Sequence, residues 1–407
     1  MTMLIVKMAF RNIFRQRRRS ILTALMMTGG FALFSFSVGM ADGMYGNIID
    51  MFTRDHTGHV QIHAAGYLDR PSLYKTIDQV PRLERRIRSV DHVVGVTARV
   101  YGPALAFAGK KTNGTQIIGV DPKNEPQTTR IKTKIARGKF FSDSQSGQII
   151  LGAGLAEVLE VEPGGEVALI SQAADGSIAN DVFTVTGIMN KDSNTFDRMN
   201  CYLPLAVAQQ FLALGDRVHE IVILLDDQHY ARQTAVRIAK AINNPDLVVE
   251  PWQEVEKAFY RAMQVDLKGN YITQFVIMLI VAIGVLNTVL MSILERTREF
   301  GVIRAMGTRP RAVFSLIVME TSFLCFMALA LGALISLGLI HYFSLHGIKL
   351  PTAFTYGGMT WDTMTARLSV KAFWQPALVT FLAAVLVSLF PAIRAARIKP
   401  TAAMSKA

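Results

Sequence analysis

The sequence predicts an α-helical membrane protein with four transmembrane helices and an α+β extracytoplasmic domain inserted between the first and second. Two observations carry that prediction. Of 407 residues, 51% are hydrophobic and 18% charged, with a mean hydropathy of +0.29. Four windows (Ile21–Ala41, Tyr271–Leu294, Leu316–Leu345 and Ala372–Ile393) each run about 20 residues or more, the length a helix needs to cross a hydrocarbon core about 30 Å thick. Only the third holds a carboxylate, Glu320.

The net charge of +12 is placed as a topology signal. Lys7, Arg11, Arg15, Arg17, Arg18 and Arg19 precede the first span, Arg296, Arg298, Arg304, Arg309 and Arg311 lie between the second and third, and Arg394, Arg397, Lys399 and Lys406 follow the fourth. Basic loops stay in the cytoplasm. Both termini and the 295–311 loop are therefore expected inside, in a multi-pass membrane protein, and nucleic-acid binding is not implied. The alternative of a cleavable signal is disfavoured because the first apolar run exceeds the usual 7–15-residue core of a signal peptide.

The expected organisation is a cytoplasmic amphipathic helix at 1–20, the first span and its extension at 21–45 and the outer domain at 46–270. The second span at 271–294 leads to a short cytoplasmic helix at 295–311 and the third span at 312–345. An outer segment at 346–371, the fourth span at 372–393 and a tail at 394–407 complete the chain. In the N-terminal helix Lys7, Arg11, Arg15 and Arg18 form a basic stripe opposite Ile5, Ala9 and Ile13, as in helices lying in the membrane interface. Within the outer domain, strands are read at His59–Ala64, Val93–Val100, Asp181–Met189 and Glu220–Asp227. Glu162–Ile170 reads as a turn feeding a strand, and His229–Asn244 as an amphipathic helix; strand order is left open.

No catalytic, metal or cofactor site emerges. There is no Gly-x-x-x-x-Gly-Lys-[Ser/Thr] phosphate loop, no Gly-x-Ser-x-Gly and no His-Glu-x-x-His. Leu151–Leu159 is a loop-to-helix turn, not a dinucleotide site. Cys201 and Cys325 are expected on different sides of the membrane boundary and unpaired. His56, His59, His63 and His92 gather near the outer end of the first span. A solvated loop is the plainer expectation for them, a metal site with His59 and His63 on one side of a strand the alternative.

The stretch Ile293–Ser315 holds five arginines and two glutamates between two apolar windows. Phe300, Val302, Ile303 and Met306 recur at helical spacing, Gly307 is a stop and Pro310 blocks simple continuation. Glu295-Arg296-x-Arg298-Glu299-Phe300-Gly301-x-x-Arg304-Ala-Met306-Gly307 resembles the coupling helix of the FtsX-like permeases of ATP-driven (ABC) transporters, a family that includes MacB-like and lipoprotein-releasing (LolC/LolE-like) members. Glu320 in "VMETS", Pro391, Ala392, Arg394, Ala395 and Pro400 near the end, and Ala136–Ile170 in the outer domain are similar to it as well. "TGHVQIHAAGY" (Thr57–Tyr67) looks like the lipoprotein-releasing branch.

The resemblance implies that Glu295, Arg296, Arg298, Glu299, Phe300, Ile303, Arg304 and Met306 dock on a separate, dimeric cytosolic ATPase. Phe300, Ile303 and Met306 would anchor and the arginines would set register. ATP and Mg would be used by that partner and no cofactor bound here, so the chain itself is expected not to be an enzyme. It also implies a second permease copy or paralogue, membrane lipid and a lipoprotein or other amphiphile as cargo. Efflux of small hydrophobic compounds or peptides, or relay of a signal to a periplasmic hydrolase, are the alternatives. Glu320 is expected either inside the bundle or at the interface, and Ala328, Gly332 and Ser336 form a row that permits close helix approach. Met40, Met44, Ile48 and Phe52 recur every fourth residue, as do Phe259, Met263, Leu267 and Tyr271. These two stripes are expected either to pack on one another or to line a cavity for acyl chains.

Overall fold

The computed structural model describes residues 8–12, 17–142, 147–190, 199–356 and 359–397. The chain divides into two compact units, one of Met1–Gly46, Met263–Lys349 and Thr363–Ala407, the other of Asn47–Ala262 and Leu350–Asp362. Helix α1 (Arg17–Phe52) opens the described chain after the helical residues 8–12.

The second unit contains, in order, β1 (Val60–Ala64), α2 (Val80–Arg88), β2 (Val93–Ala108), β3 (Lys111–Val120), α3 (Glu125–Thr128), β4 (Ile135–Gly138), β5 (Gln148–Leu151), α4 (Ala153–Leu159), β6 (Glu166–Gln172), β7 (Ile178–Met189), β8 (Asn200–Pro204), α5 (Leu205–Phe211), β9 (Glu220–Leu225), α6 (Ala231–Ile242), β10 (Leu247–Pro251) and α7 (Trp252–Val255). The sheet runs β10-β1-β9-β2-β3-β8-β5-β7-β4, with β6 pairing β2 and β7.

Taken alone, β1-α2-β2 and β9-α6-β10 are two βα-strand units whose four strands lie in the order 4-1-3-2, every neighbouring pair antiparallel. That is the doubled split βαβ arrangement of ferredoxin-like folds. Helices α2 and α6 pack on each other and on the sheet, through Leu83 and Ile87 of one and Ala235, Ile238 and Ile242 of the other. The frame is interrupted between β2 and β9 by β3 to α5. Strand β2 makes this insertion possible. Its first half pairs β9, and its second half runs on to pair β3 and β6. The insertion has its own core of Ile118, Val120, Ile131, Phe141, Ile150 and Met189.

Several expectations are corrected here. The strand expected at Val93–Val100 continues to Ala108, because alternation resumes after Gly102 and Pro103. His59 and His63 do not lie in a solvated loop: both are buried, His59 accepting from the Leu225 amide at 3.0 Å. Among the described residues no cluster of three or more His, Cys, Asp or Glu is arranged to hold a metal.

The first unit is built on α1 with α8 (Lys257–Glu295), α9 (Thr297–Ala305), α10 (Pro310–His346) and α11 (Val370–Ala396). Among the described residues, four helices (α1, α8, α10 and α11) are long and apolar enough to cross a membrane. The segment after α10, expected simply as an outer segment, holds a strand pair, β11 (Ile348–Tyr356) and β12 (Met359–Met364). Pro310 starts α10 instead of merely ending the helix before it, because its fixed φ and missing N–H suit a first helical turn.

Small residues bring the long helices together. Ala328, Gly332 and Ser336 are all buried, and the Thr28 hydroxyl of α1 donates to the Ala328 carbonyl at 3.2 Å. A Cβ at Gly332 would stand 2.6 Å from the Phe31 ring and 3.1 Å from the Thr28 carbonyl. Further along α1, Gly39 and Gly43 make the same kind of approach: the Gly39 carbonyl accepts from the Arg367 amide at 2.9 Å, and a Cβ at Gly43 would strike the Thr365 carbonyl. Gly338, on α10, faces open space. Gly332→Ala is therefore expected to destabilise the helix bundle by about 1–3 kcal/mol through overpacking, and Gly338→Ala to leave it unchanged; thermal unfolding of the two purified variants side by side checks the contrast.

Candidate functional site

The charged stretch folds as α9, and its chemistry divides by face. The helix ends as the sequence signals: Gly307 adopts φ +92°, its amide bonds the Arg304 carbonyl at 3.0 Å, and Thr308 bonds the Ile303 carbonyl at 3.3 Å. A left-handed residue is needed there to turn the chain back, which glycine supplies without steric penalty.

The inward face is held by a charge pair. Arg296, 7% exposed, donates through Nη1 to both carboxylate oxygens of Glu320 at 3.1 and 3.0 Å and through Nε to Glu299 at 3.2 Å. Its guanidinium also lies 5.0 Å from the centre of the Phe300 ring, within cation–π range. Asn12 donates to the same Glu320 at 2.6 Å. One carboxylate on α10 thus gathers the residue 8–12 helix and the start of α9. Beside it lies a cavity of about 50 Å³ lined by Ser20, Thr23, Thr288, Ser292 and Thr321 among others. Arg304 is used inwardly too, donating to the Ala396 carbonyl at the end of α11.

Phe300, expected to anchor a partner, is 1% exposed and sits in a core with Ala9, Val289, Ile293, Val313, Ile317, Ala392 and Ala395. Arg296 is likewise committed to an internal contact. In this chain both side chains face inward and position α9, instead of lying on its exposed side. Glu299, Ile303 and Arg304 are half-buried. The outward row is Arg298, Val302 and Met306, at i, i+4 and i+8, with Met306 74% exposed; Glu295 lies on the surface as well. Val302 was not singled out for docking, although the same spacing contains it.

The two apolar stripes separate along their length. Ile48, Phe52, Phe259 and Met263 are buried, and the Phe52 and Phe259 rings stack at 4.4 Å. Met40 packs beside a core of Phe34, Val38, Ile340, Ala366 and Ala372. Met44 and Leu267 are half-buried, and Tyr271 is exposed. The part that remains open continues along α8 through Ile272, Phe275, Leu279, Ile280 and Ile283. Asn12, Gly39 and Gly43 are the other residues the sequence reading passed over. The spacing Gly39-x-x-x-Gly43 could have revealed two of them; nothing local marks Asn12.

Long apolar helices, a short charged helix pinned to them by a buried charge pair and a large α+β insertion make up the described chain, and comparison with known proteins places it among the permeases of the ABC-transporter class. The chain belongs to the FtsX-like permeases: the model of the MacB-like periplasmic core domain matches residues 20–241, and that of the FtsX-like permease C-terminal region matches 271–400. It is a membrane protein with an extracytoplasmic domain. It is 24% identical over 366 residues to a lipoprotein-releasing system transmembrane protein, LolE, of Haemophilus influenzae, with 85% of each chain covered. It is 25% identical over 413 residues to a macrolide export ATP-binding/permease protein, MacB, of Nitrobacter winogradskyi, covering 94% of this chain and 58% of that one. Among solved structures, the periplasmic region of MacB from Actinobacillus actinomycetemcomitans aligns with 49% of this chain and 92% of its own at 13% identity and a TM-score of 0.37.

Arg296 and Glu320 are worth more together than apart. Arg296→Ala strands a carboxylate with little access to water and is expected to cost about 3–5 kcal/mol, whereas Arg296→Leu with Glu320→Leu should recover most of that loss. Thermal denaturation of Arg296→Ala and of the double variant reads this; a double variant as unstable as Arg296→Ala would show that the contact contributes more than charge compensation.

Proposed function

We propose that this chain is the permease subunit of an ABC transporter that draws lipoprotein or another amphiphile from the outer leaflet of a bacterial inner membrane. Energy is supplied by a separate dimeric ATPase on the cytosolic side, and the working unit contains a second permease, identical or paralogous. In this reading α1, α8, α10 and α11 span the membrane with both termini inside. The observation that carries the reading is the division of α9 into an inward face tied to Glu320 and an outward face of Arg298, Val302 and Met306. Such a helix offers an apolar anchor and a charge to a partner while a rigid attachment carries the partner's movement into the long helices. The match along 85% of a lipoprotein-releasing protein supports the amphiphile as cargo. So does the open apolar strip on α8, from Tyr271 through Phe275 and Leu279, with Met44 and Leu267 beside its outer end. Each acyl CH₂ moved from lipid needs an apolar receptor worth about 0.8 kcal/mol. Export of small hydrophobic compounds, named for the MacB relative, is the second reading and uses the same strip.

Two experiments test the two halves. Val302→Ala with Met306→Ala is expected to weaken ATPase binding about tenfold or more, the loss typical of buried anchors. Arg298→Glu should chiefly slow association and make it less sensitive to salt. Co-purification and stimulation of ATP hydrolysis are the measurements, and full stimulation in all three substituted positions would reduce α9 to a connector. For cargo, photo-crosslinkers at Tyr271 and Phe275 are expected to capture lipid-anchored protein without nucleotide and to lose it when ATP is trapped. A crosslinker at Phe259 should report only its packing neighbours. Competition by a soluble hydrophobic compound, with no lipoprotein captured, would favour export instead.

A further inference from the structure

The sheet of the outer domain buries more carboxylate than cation. Arg99 on β2 places Nη2 2.5 Å from Glu125 Oε1 and Nε 3.2 and 3.3 Å from the two oxygens of the same group. Glu125, fully buried, also accepts from the hydroxyls of Thr97 at 3.0 Å and Thr129 at 2.8 Å. It has the donors of a well-served anion. Arg99 has one arm left. Nη1 donates to the His56 carbonyl at 2.7 Å and stands 3.5 Å from Glu220 Oε1.

Glu220, on β9, therefore draws mainly on neutral donors: the Tyr101 hydroxyl and Gln61 Nε2, the latter at 3.2 Å, with His63 Nε2 3.7 Å from its other oxygen. His63 is 1% exposed, and neither of its ring nitrogens has a hydrogen-bond partner among the described residues. The remaining titratable groups facing the pair add no charge. Tyr67 stacks on His63 at 5.4 Å and on His219 at 5.7 Å. His219 accepts from the Tyr101 amide through Nδ1 at 3.0 Å and lies 3.2 Å from the Leu73 carbonyl through Nε2, the bonding of a neutral ring. The Tyr101 hydroxyl sits 3.5 Å from Arg99, and burial holds both phenols protonated, with Tyr67 and Tyr101 pushed above their ordinary value.

One guanidinium between two carboxylates, out of reach of water, leaves a negative charge uncompensated, which is costly in a medium of low polarity. A proton is the smallest species that removes it. We infer that Glu220 is kept protonated near neutral pH and forms, with His63, a one-proton site that completes the charge balance of the outer domain. Burial pushes the Glu220 carboxyl up to about 7 against the partial opposition of Arg99, and pushes the His63 imidazole down to about 4. When the proton leaves, a second full carboxylate competes for Arg99 Nη1, the atom that holds the His56 carbonyl in the Thr53–Thr57 segment after α1.

The linkage gives the site a signature. A carboxyl raised from 4.5 to about 7 takes up a proton on folding, so its contribution to stability is present below about 4.5 and is lost as pH rises toward 7. An imidazole lowered from 6.5 to about 4 gives one up, so its contribution is lost as pH falls from 6.5 toward 4. In the native pair the two slopes cancel, because the unfolded chain carries on His63 the proton that the folded chain carries on Glu220. Removing either residue exposes the other's slope, with opposite signs.

The test uses the full chain in lipid nanodiscs. Infrared titration of the wild type is expected to show a carboxylic-acid C=O band that fades as pH rises through about 7, survives in His63→Gln and is missing in Glu220→Gln. Hydrogen exchange of the β1 and β9 peptides, corrected for intrinsic rates, should show opening that grows with pH in His63→Gln and falls with pH in Glu220→Gln. Each slope reaches at most about tenfold per pH unit, the value for one proton. Absence of a fading acid band from both wild type and His63→Gln would overturn the inference without reliance on Glu220→Gln folding well. Exchange slopes of the same sign in the two variants would overturn it as well.

Discussion

A charge pair removed from water at one end of α10 is the constraint on which the membrane unit depends. Glu320 cannot stand alone in so apolar a helix, since an unpaired carboxylate there costs several kcal/mol. Once Arg296 and Asn12 are needed to satisfy it, the residue 8–12 helix and the first residue before α9 have fixed positions. The neighbouring apolar residues then follow. Phe300 fills the space under the guanidinium, and Ala9, Ala392 and Ala395 are small because backbones must come close around it. Such a pair contributes little net stability compared with an apolar substitute. Its effect is specificity, since an alternative placement of α9 would leave two charges unpaired.

The outer domain solves a different problem, that of placing a large insertion in a small frame without opening its core. The β1-α2-β2 and β9-α6-β10 units close their own layer of helices, so the insertion can leave through the far half of β2 and return to β9. Strand β2 is accordingly long and carries both partners in register. Arg99 lies on the half that belongs to the frame, where it draws β2, β9, α3 and the segment following α1 to one guanidinium.

Much of this was legible in the sequence, for identifiable reasons. Period and length marked the long helices because hydrocarbon admits few alternatives. The row Ala328, Gly332 and Ser336 marked a close approach because small residues at that spacing leave little else to do. The helix Val80–Arg88 was missed even though Val80, Leu83 and Ile87 recur at helical spacing, since six of its nine residues are charged or proline and mask the stripe. Strand order was not legible at all: it depends on which far segment completes β2, and Glu220 meets Arg99 across 121 residues. For the same reason the histidines were read as surface. Local polarity near a span end suggested solvent, while burial of His63 is decided by Tyr67 and β9.

The charged stretch shows where sequence reasoning stops for a physical reason. Five arginines within Ile293–Ser315 look equivalent as text, yet Arg296 and Arg304 turn inward to Glu320 and the Ala396 carbonyl, and Arg298, Arg309 and Arg311 stay outside. A helix of nine residues has only two and a half turns. Each face therefore holds two or three side chains, and every residue spent on attachment is lost to the exposed face. In the docking role proposed above, the two faces need opposite surroundings: an attachment that transmits movement must be dry and geometrically unique, whereas a docking face must remain wet until its partner arrives. The alternation of Arg296 and Phe300 with Arg298 and Val302, each pair four apart and the two pairs offset by two, places both requirements on one short helix.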